Sequence, residues 1–130
     1  MSTLKVGTIQ NADGTRTKYT ASAWVNFSGA NTPTIRGSKN VSGITDLASG
    51  EFRINFETAM ADNNYTCVST GGVIETTAGQ IYQVHACGTN LQEKTTTYAL
   101  YQTRTVDNDA PSMGTTDSES CYAAFFGGDA

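Results

Sequence analysis

Apolar and polar residues alternate along this chain in short bursts and never settle into a helical stripe. The clearest burst is residues 51–57, where Phe52, Ile54 and Phe56 point one way and Glu51, Arg53, Asn55 and Glu57 the other. Alternation sustained over that length predicts a half-buried strand with one wet face. Burying its three large side chains contributes about 1.5–3 kcal/mol each. Upstream, Ala23, Val25 and Phe27 share one face of a strand while Trp24 and Asn26 share the other. The chain's one tryptophan therefore caps a second buried face or sits at an interface.

The rest of the chain follows the same period. A first strand is expected over residues 2–10, closed by the Asp13-Gly14 turn pair. Residues 15–21 are almost wholly polar, and residues 1–21 are expected to form an extended arm that packs on a neighbour. Thr34, Ile35 and Arg36 read as a short strand followed by a turn at Gly37-Ser38-Lys39. Val41 and Ile44 bracket Gly43, which marks a bulge. Residues 46–50 read as a five-residue hairpin loop.

Further strands are expected over residues 65–69, 81–87, 95–106 and 120–126. Residues 59–64 and 88–94 serve as connections, and residues 107–119 as a long loop of small polar residues. The total is eight or nine short strands with glycine and Asx turns between them. That pattern predicts an all-β, antiparallel β-sandwich, jelly-roll-like, spanning residues 22–130 behind the arm.

Composition sharpens this picture in one respect. Charged residues are only 15% of the 130, against roughly 25% in an average domain. Threonine is the commonest residue, and its branched side chain suits a pleated, half-exposed strand. The surface is thus hydroxyl-rich and weakly charged. A net charge of −4 excludes the basic stripe that nucleic acid requires, and it disfavours anionic membrane surfaces. No run reaches the roughly 20 apolar residues of a membrane span, and the N-terminus lacks the apolar core of a signal peptide. Synthesis in a cytoplasm without export is the expectation.

Candidate chemistry is sparse. His85 is the only histidine, mid-strand, with Cys87 two residues on. A nucleophilic triad would need an orienting acid beside them, and a satisfied structural histidine is the simpler expectation. Cys67, Cys87 and Cys121 are odd in number and lack metal-ligand spacing, so they read as small buried apolar residues. The aspartates at 13, 46, 62, 107, 109 and 117 fall in expected loops, where turn chemistry explains them. Asp107-Asn108-Asp109 lacks the distal glutamate of a calcium loop. Glu51, Glu57 and Asp46 are the carboxylates that would serve a glycosidase, but a chain this short leaves little room for its cleft. No cofactor, metal or catalytic residue is expected, and the chain is not expected to be an enzyme.

Four runs carry a resemblance. Ala23-Trp24-Val25-Asn26-Phe27-Ser28-Gly29 leads into Thr34-Ile35-Arg36-Gly37-Ser38. Asn40-Val41-Ser42-Gly43-Ile44-Thr45-Asp46 and Phe52-Arg53-Ile54-Asn55-Phe56-Glu57-Thr58-Ala59-Met60 follow. Together they resemble a domain of cyanophage tail-fibre and appendage virion proteins. The opening Ser2-Thr3-Leu4-Lys5-Val6-Gly7-Thr8-Ile9-Gln10-Asn11 and the closing Tyr122-Ala123-Ala124-Phe125-Phe126-Gly127 are similar to elements of the same proteins. The similarity weakens between residues 70 and 120, and residues 107–119 match nothing in it.

The resemblance implies a β-rich virion subunit, homotrimeric, made in the bacterial host and placed on the outside of the particle. Its partners would be copies of itself, tail or capsid proteins, and host-surface glycan. Members of the family are longer, so residues 1–21 are expected to act as the anchor, with Leu4, Val6, Ile9 and Trp24 as assembly residues. Two other functions fit the same residues. One is capsid decoration. The other is carbohydrate binding, which would need a cleft flanked by Trp24 or by Tyr98 and Tyr101.

Overall fold

The computed structural model describes residues 20–72, 81–88, 94–107 and 113–128, together with residues 2, 3, 7, 12 and 14. Among these, nine strands form and no helix. They are β1 (Ala23–Ser28), β2 (Thr34–Lys39), β3 (Val41–Ala48), β4 (Glu51–Phe56), β5 (Thr66–Gly71), β6 (Ile81–Cys87), β7 (Tyr98–Asp107), β8 (Met113–Thr115) and β9 (Cys121–Phe126). One sheet has the order β2-β1-β9-β5, and the second β3-β4-β7-β6. All pairings are antiparallel. β4 pairs with the first half of β7, and β8 pairs with Arg104, Thr105 and Val106 beyond it. The chain is therefore an all-β sandwich. Four connections, β1–β2, β3–β4, β6–β7 and β7–β8, join consecutive strands that pair within one sheet.

The core forms where the inward faces of the strands meet. Ala23, Val25 and Phe27 of β1 and Cys121, Ala123 and Phe125 of β9 face Phe52, Ile54 and Phe56 of β4 and Ala99 and Tyr101 of β7. Phe27 packs edge-on against Phe52 and Tyr101, with centroids 5.6 and 5.3 Å away. Phe56, Tyr65 and Phe125 form a second edge-to-face cluster at 5.6, 5.1 and 5.9 Å. Such pairs add about 0.5–1.5 kcal/mol each beyond the area they bury. Tyr65 is wholly buried, and its hydroxyl donates to the carbonyls of Thr95 and Tyr98.

Several boundaries differ from the pattern, each for a local reason. Gly37, Ser38 and Lys39 make no turn but complete β2. Gly37 lies under the Trp24 indole, where a Cβ would stand 3.4 Å from ring atom Cη2. The glycine thus makes room for a ring. The chain crosses between sheets at Asn40 instead, in the left-handed region at φ 54°. Asn40 Oδ1 accepts from the Thr58 amide at 2.7 Å, and Asn40 Nδ2 donates to the Thr58 carbonyl at 3.1 Å.

The five-residue loop expected at 46–50 shrinks to Ser49 and Gly50, because β3 runs on to Ala48 with a register shift after Asp46. Gly50 takes φ 69°, and a Cβ there would lie 2.6 Å from the Thr103 carbonyl oxygen. The bulge read at Gly43 is present, as a register shift between Val41 and Gly43.

The long loop expected at 107–119 contains β8, and its end is tied down. Thr103 Oγ1 donates to the Thr116 carbonyl, Asp117 Oδ1 accepts from the Gly50 amide at 2.8 Å, and Ser118 is buried. Small polar residues hid these contacts because their partners are backbone groups distant in sequence. Leu4, Val6 and Ile9, the expected first strand and most of the 1–21 arm lie outside the described residues, as do Asn108 and Asp109.

Candidate functional site

A sandwich has two outer faces, and here they differ in kind. On the β2-β1-β9-β5 sheet, register places Trp24, Ala124 and Val68 side by side in one row. Asn26, Tyr122 and Thr70 form the next row, and Phe126 stands opposite Thr66 in a third. Trp24 is 40% exposed, Val68 52%, Tyr122 38% and Phe126 41%. Ala124 leaves a low floor between the larger residues, giving an open depression of about 430 Å³ lined by Trp24, Asn26, Val68, Thr70, Tyr122 and Ala124. Lys39, at the β2 end of the first row, is the charged residue in these rows, and its Nζ donates to the Ala21 carbonyl at 2.7 Å. Asn26 Oδ1 is shielded from solvent yet accepts no hydrogen bond from the described residues.

The outer face of the β3-β4-β7-β6 sheet pairs most of its charged groups, although Arg53 Nε has no hydrogen-bond partner among the described residues and Val84 stands exposed. The Arg53 guanidinium lies 4.3 Å above the Tyr98 ring centroid. Glu51 Oε1 accepts from Gln102 at 3.2 Å and lies 3.5 Å from the Arg104 guanidinium. Asn55 Nδ2 donates to Thr45 Oγ1 at 2.9 Å. Leu100, which register sets beside Arg53, is buried although it belongs to this outer face.

A third feature closes the sandwich between β5 and β6, strands of different sheets. The inward side chains of β5 donate to carbonyls of β6: Cys67 Sγ to Cys87 O at 3.0 Å, and Ser69 Oγ to His85 O at 3.1 Å. His85 Nδ1 meets the Tyr101 hydroxyl at 2.7 Å, and that hydroxyl donates to the Thr70 carbonyl at 2.9 Å. Burial lowers the His85 pKa, partly offset by the Gly72 carbonyl. Burial likewise pushes the Tyr101 and Tyr65 hydroxyls well above their ordinary range.

These placements decide several expectations. His85 is a structural histidine, engaged at both ring nitrogens by Tyr101 and Gly72. Of the three cysteines, Cys121 is buried as expected, but Cys67 and Cys87 are only half-buried and stand together. Asp62 does make a turn-type bond, to the amide of Asn64, whereas Asp117 accepts from the distant amide of Gly50 and so serves a tertiary contact instead of a turn. Among the described residues no group of three or more His, Cys, Asp or Glu gathers in a metal-holding arrangement. None of the described helices could cross a membrane, since none forms.

Tyr101 points into the core, Tyr98 out of one sheet and Trp24 out of the other, so these three aromatics flank no common cleft. Set against protein-family models, curated proteins and solved structures, the chain matches none. The phage-virion resemblance rests on its motifs alone.

Of the four expected assembly residues, Trp24 lies among the described residues, and it is 40% exposed. Val68, Tyr122, Ala124 and Phe126 were not singled out. The signal for them was present in Cys121-Tyr122-Ala123-Ala124-Phe125-Phe126, a run with apolar residues on both faces. Such a run reads as a strand buried on both sides, and the fold covers only one.

Proposed function

We propose that this chain is a non-catalytic structural subunit that assembles through copies of itself, using the outer face of the β2-β1-β9-β5 sheet. The observation that carries this is β9. Its inward residues Cys121, Ala123 and Phe125 are buried, while Tyr122 and Phe126 stand exposed beside Trp24 and Val68. A patch of large apolar residues whose charge is confined to Lys39 at its β2 edge marks an interaction surface. The occupant that suits it best is uncharged and apolar in its turn, which a second copy of this chain provides.

The motif resemblance supplies the setting. The subunit belongs to a bacteriophage virion, as a small tail-fibre or appendage protein, with the homotrimer as its assembly. Residues 1–21, which enter β1 immediately before Trp24, take part in the same assembly. Tail or capsid proteins hold it to the particle, and the host surface is what its free end meets.

Sedimentation equilibrium tests the assembly. The wild-type chain is expected to associate into a defined oligomer. Trp24→Asp is expected to sediment as a folded monomer, while Arg53→Ala on the opposite face keeps the wild-type order. A wild-type chain that stays monomeric at high concentration overturns the proposal. Negative-stain imaging of virions with antibody to this chain tests the setting: label at the tail supports the appendage, and label spread over the head assigns it to capsid decoration.

A further inference from the structure

The seam between β5 and β6 holds a pair of thiols that no part of the assembly surface uses. Cys67 comes from β5 in one sheet and Cys87 from β6 in the other. Cys67 Sγ lies 3.0 Å from the Cys87 carbonyl oxygen, and a Cβ placed on Gly88 would stand 3.0 Å from that same sulfur. The two thiols also lie close enough to influence each other's ionisation. Both residues are half-buried at the edge where β5 and β6 close the sandwich, so neither is sealed inside the core. Lys94 stands over this edge, its Nζ donating to the Tyr65 carbonyl at 2.8 Å.

We propose that Cys67 and Cys87 form a site for an inter-sheet disulfide, made when the protein meets a small-molecule disulfide oxidant.

The step balances as thiol–disulfide exchange. The Cys67 thiolate attacks one sulfur of the oxidant, forming a mixed disulfide and expelling one thiolate. The Cys87 thiol gives up its proton and attacks Cys67 Sγ, forming the Cys67–Cys87 bond and expelling the second thiolate. Two protein thiols are oxidised, one external disulfide is reduced to two thiols, and the two thiol protons end on the leaving groups.

The roles follow from the surroundings. The neighbouring Cys87 thiol, aided by the nearby Lys94 ammonium against the opposing effect of burial, brings the Cys67 thiol down to about 7. Cys67 in turn, together with burial, pushes the Cys87 thiol up. Cys67 is thus the attacking sulfur and Cys87 the resolving one. The bond would span 20 positions of sequence and join the two sheets where only side chains now hold them.

The test is to incubate the purified chain at neutral pH with oxidised glutathione. The expected product has lost two hydrogen masses, and its non-reduced digest contains one peptide pair joining Cys67 to Cys87. Its Tm rises by roughly 10 °C, from the loop-entropy gain for a loop of this size, and falls back on reduction. Cys121→Ala is expected to form the same bond. Cys87→Ala is expected to stop at the mixed disulfide with no rise in Tm, and Cys67→Ser is expected to leave the Cys87 thiol unmodified. Should the wild-type chain stop at the mixed disulfide, pair Cys121 with either residue, or stay fully reduced, the assignment is wrong.

Discussion

β1 and β4 are both six-residue strands whose inward positions are buried, and both present a large side chain outward in the middle of a sheet. What surrounds those outward residues differs. Arg53 of β4 lies on the Tyr98 ring and stands across from Leu100, and its neighbours Glu51 and Asn55 find partners in Gln102, Arg104 and Thr45. Trp24 of β1 has Lys39, Gly37, Ala124 and Val68 beside it, and they leave the indole 40% exposed. Alternation fixes which residues leave the core but does not say whether they then face water or another molecule. The local supply of partners separates the two cases, and on that ground the β1 face is the one proposed to receive a neighbour.

Substitutions on either side of β1 break this comparison most strongly. Phe27→Ala removes a ring that packs on Phe52 and Tyr101 in the core. A loss of about 3–5 kcal/mol is expected in urea unfolding. Trp24→Ala, three residues away but facing outward, is expected to change monomer stability by less than about 1 kcal/mol. Its effect falls on association instead: a truncated interface anchor costs about 2 kcal/mol or more, or roughly 30-fold in the association constant by sedimentation.

Gly50→Ala probes the turn behind the opposite face. Its positive φ and the nearby Thr103 carbonyl lead to an expected loss of about 1–3 kcal/mol in thermal unfolding, with association unchanged.

A smaller effect concerns His85. Its folded pKa lies below the unfolded value, so the unfolded chain binds the proton more readily. The stability from neutral His85 is fully present above the unfolded pKa of about 6.5 and is lost as pH falls below it. Urea midpoints measured from pH 7.5 to pH 5 are expected to drop in the wild type, and His85→Gln to flatten that slope. The smallest effect is expected for Glu51→Gln. Its exposed contact with Arg104 is worth less than about 1 kcal/mol, and both stability and oligomeric order should stay close to wild type.

Much of the fold was legible because strands announce themselves locally. The alternations at 23–27 and 51–57 required no distant information, and each became a strand with the expected face buried, while 120–126 became the strand expected. Where the pattern misled, the deciding contact came from elsewhere in the chain. Gly37 read as a turn because its reason, the Trp24 ring, sits on a neighbouring strand. The 107–119 segment read as a loop because its partners, Thr103, Gly50 and the β7 backbone, lie across the sheet.

The site was half legible in the same way. Trp24 stood out as a single tryptophan on the outward face of its strand. The patch around it required the strand order, which brings β9 beside β1 and β5 beside β9. The Cys67–Cys87 pair was hidden for the same reason, since the two residues share neither a strand nor a sheet.

The single tryptophan makes the central claim directly observable. Trp24 emission and its quenching by acrylamide can be followed as protein concentration rises through the association range. If copies of this chain meet on the β2-β1-β9-β5 face, the emission shifts to the blue and quenching falls in step with the sedimentation-measured oligomer. An oligomer that forms while Trp24 keeps the emission and quenching of the dilute chain would place the contact elsewhere and contradict the account.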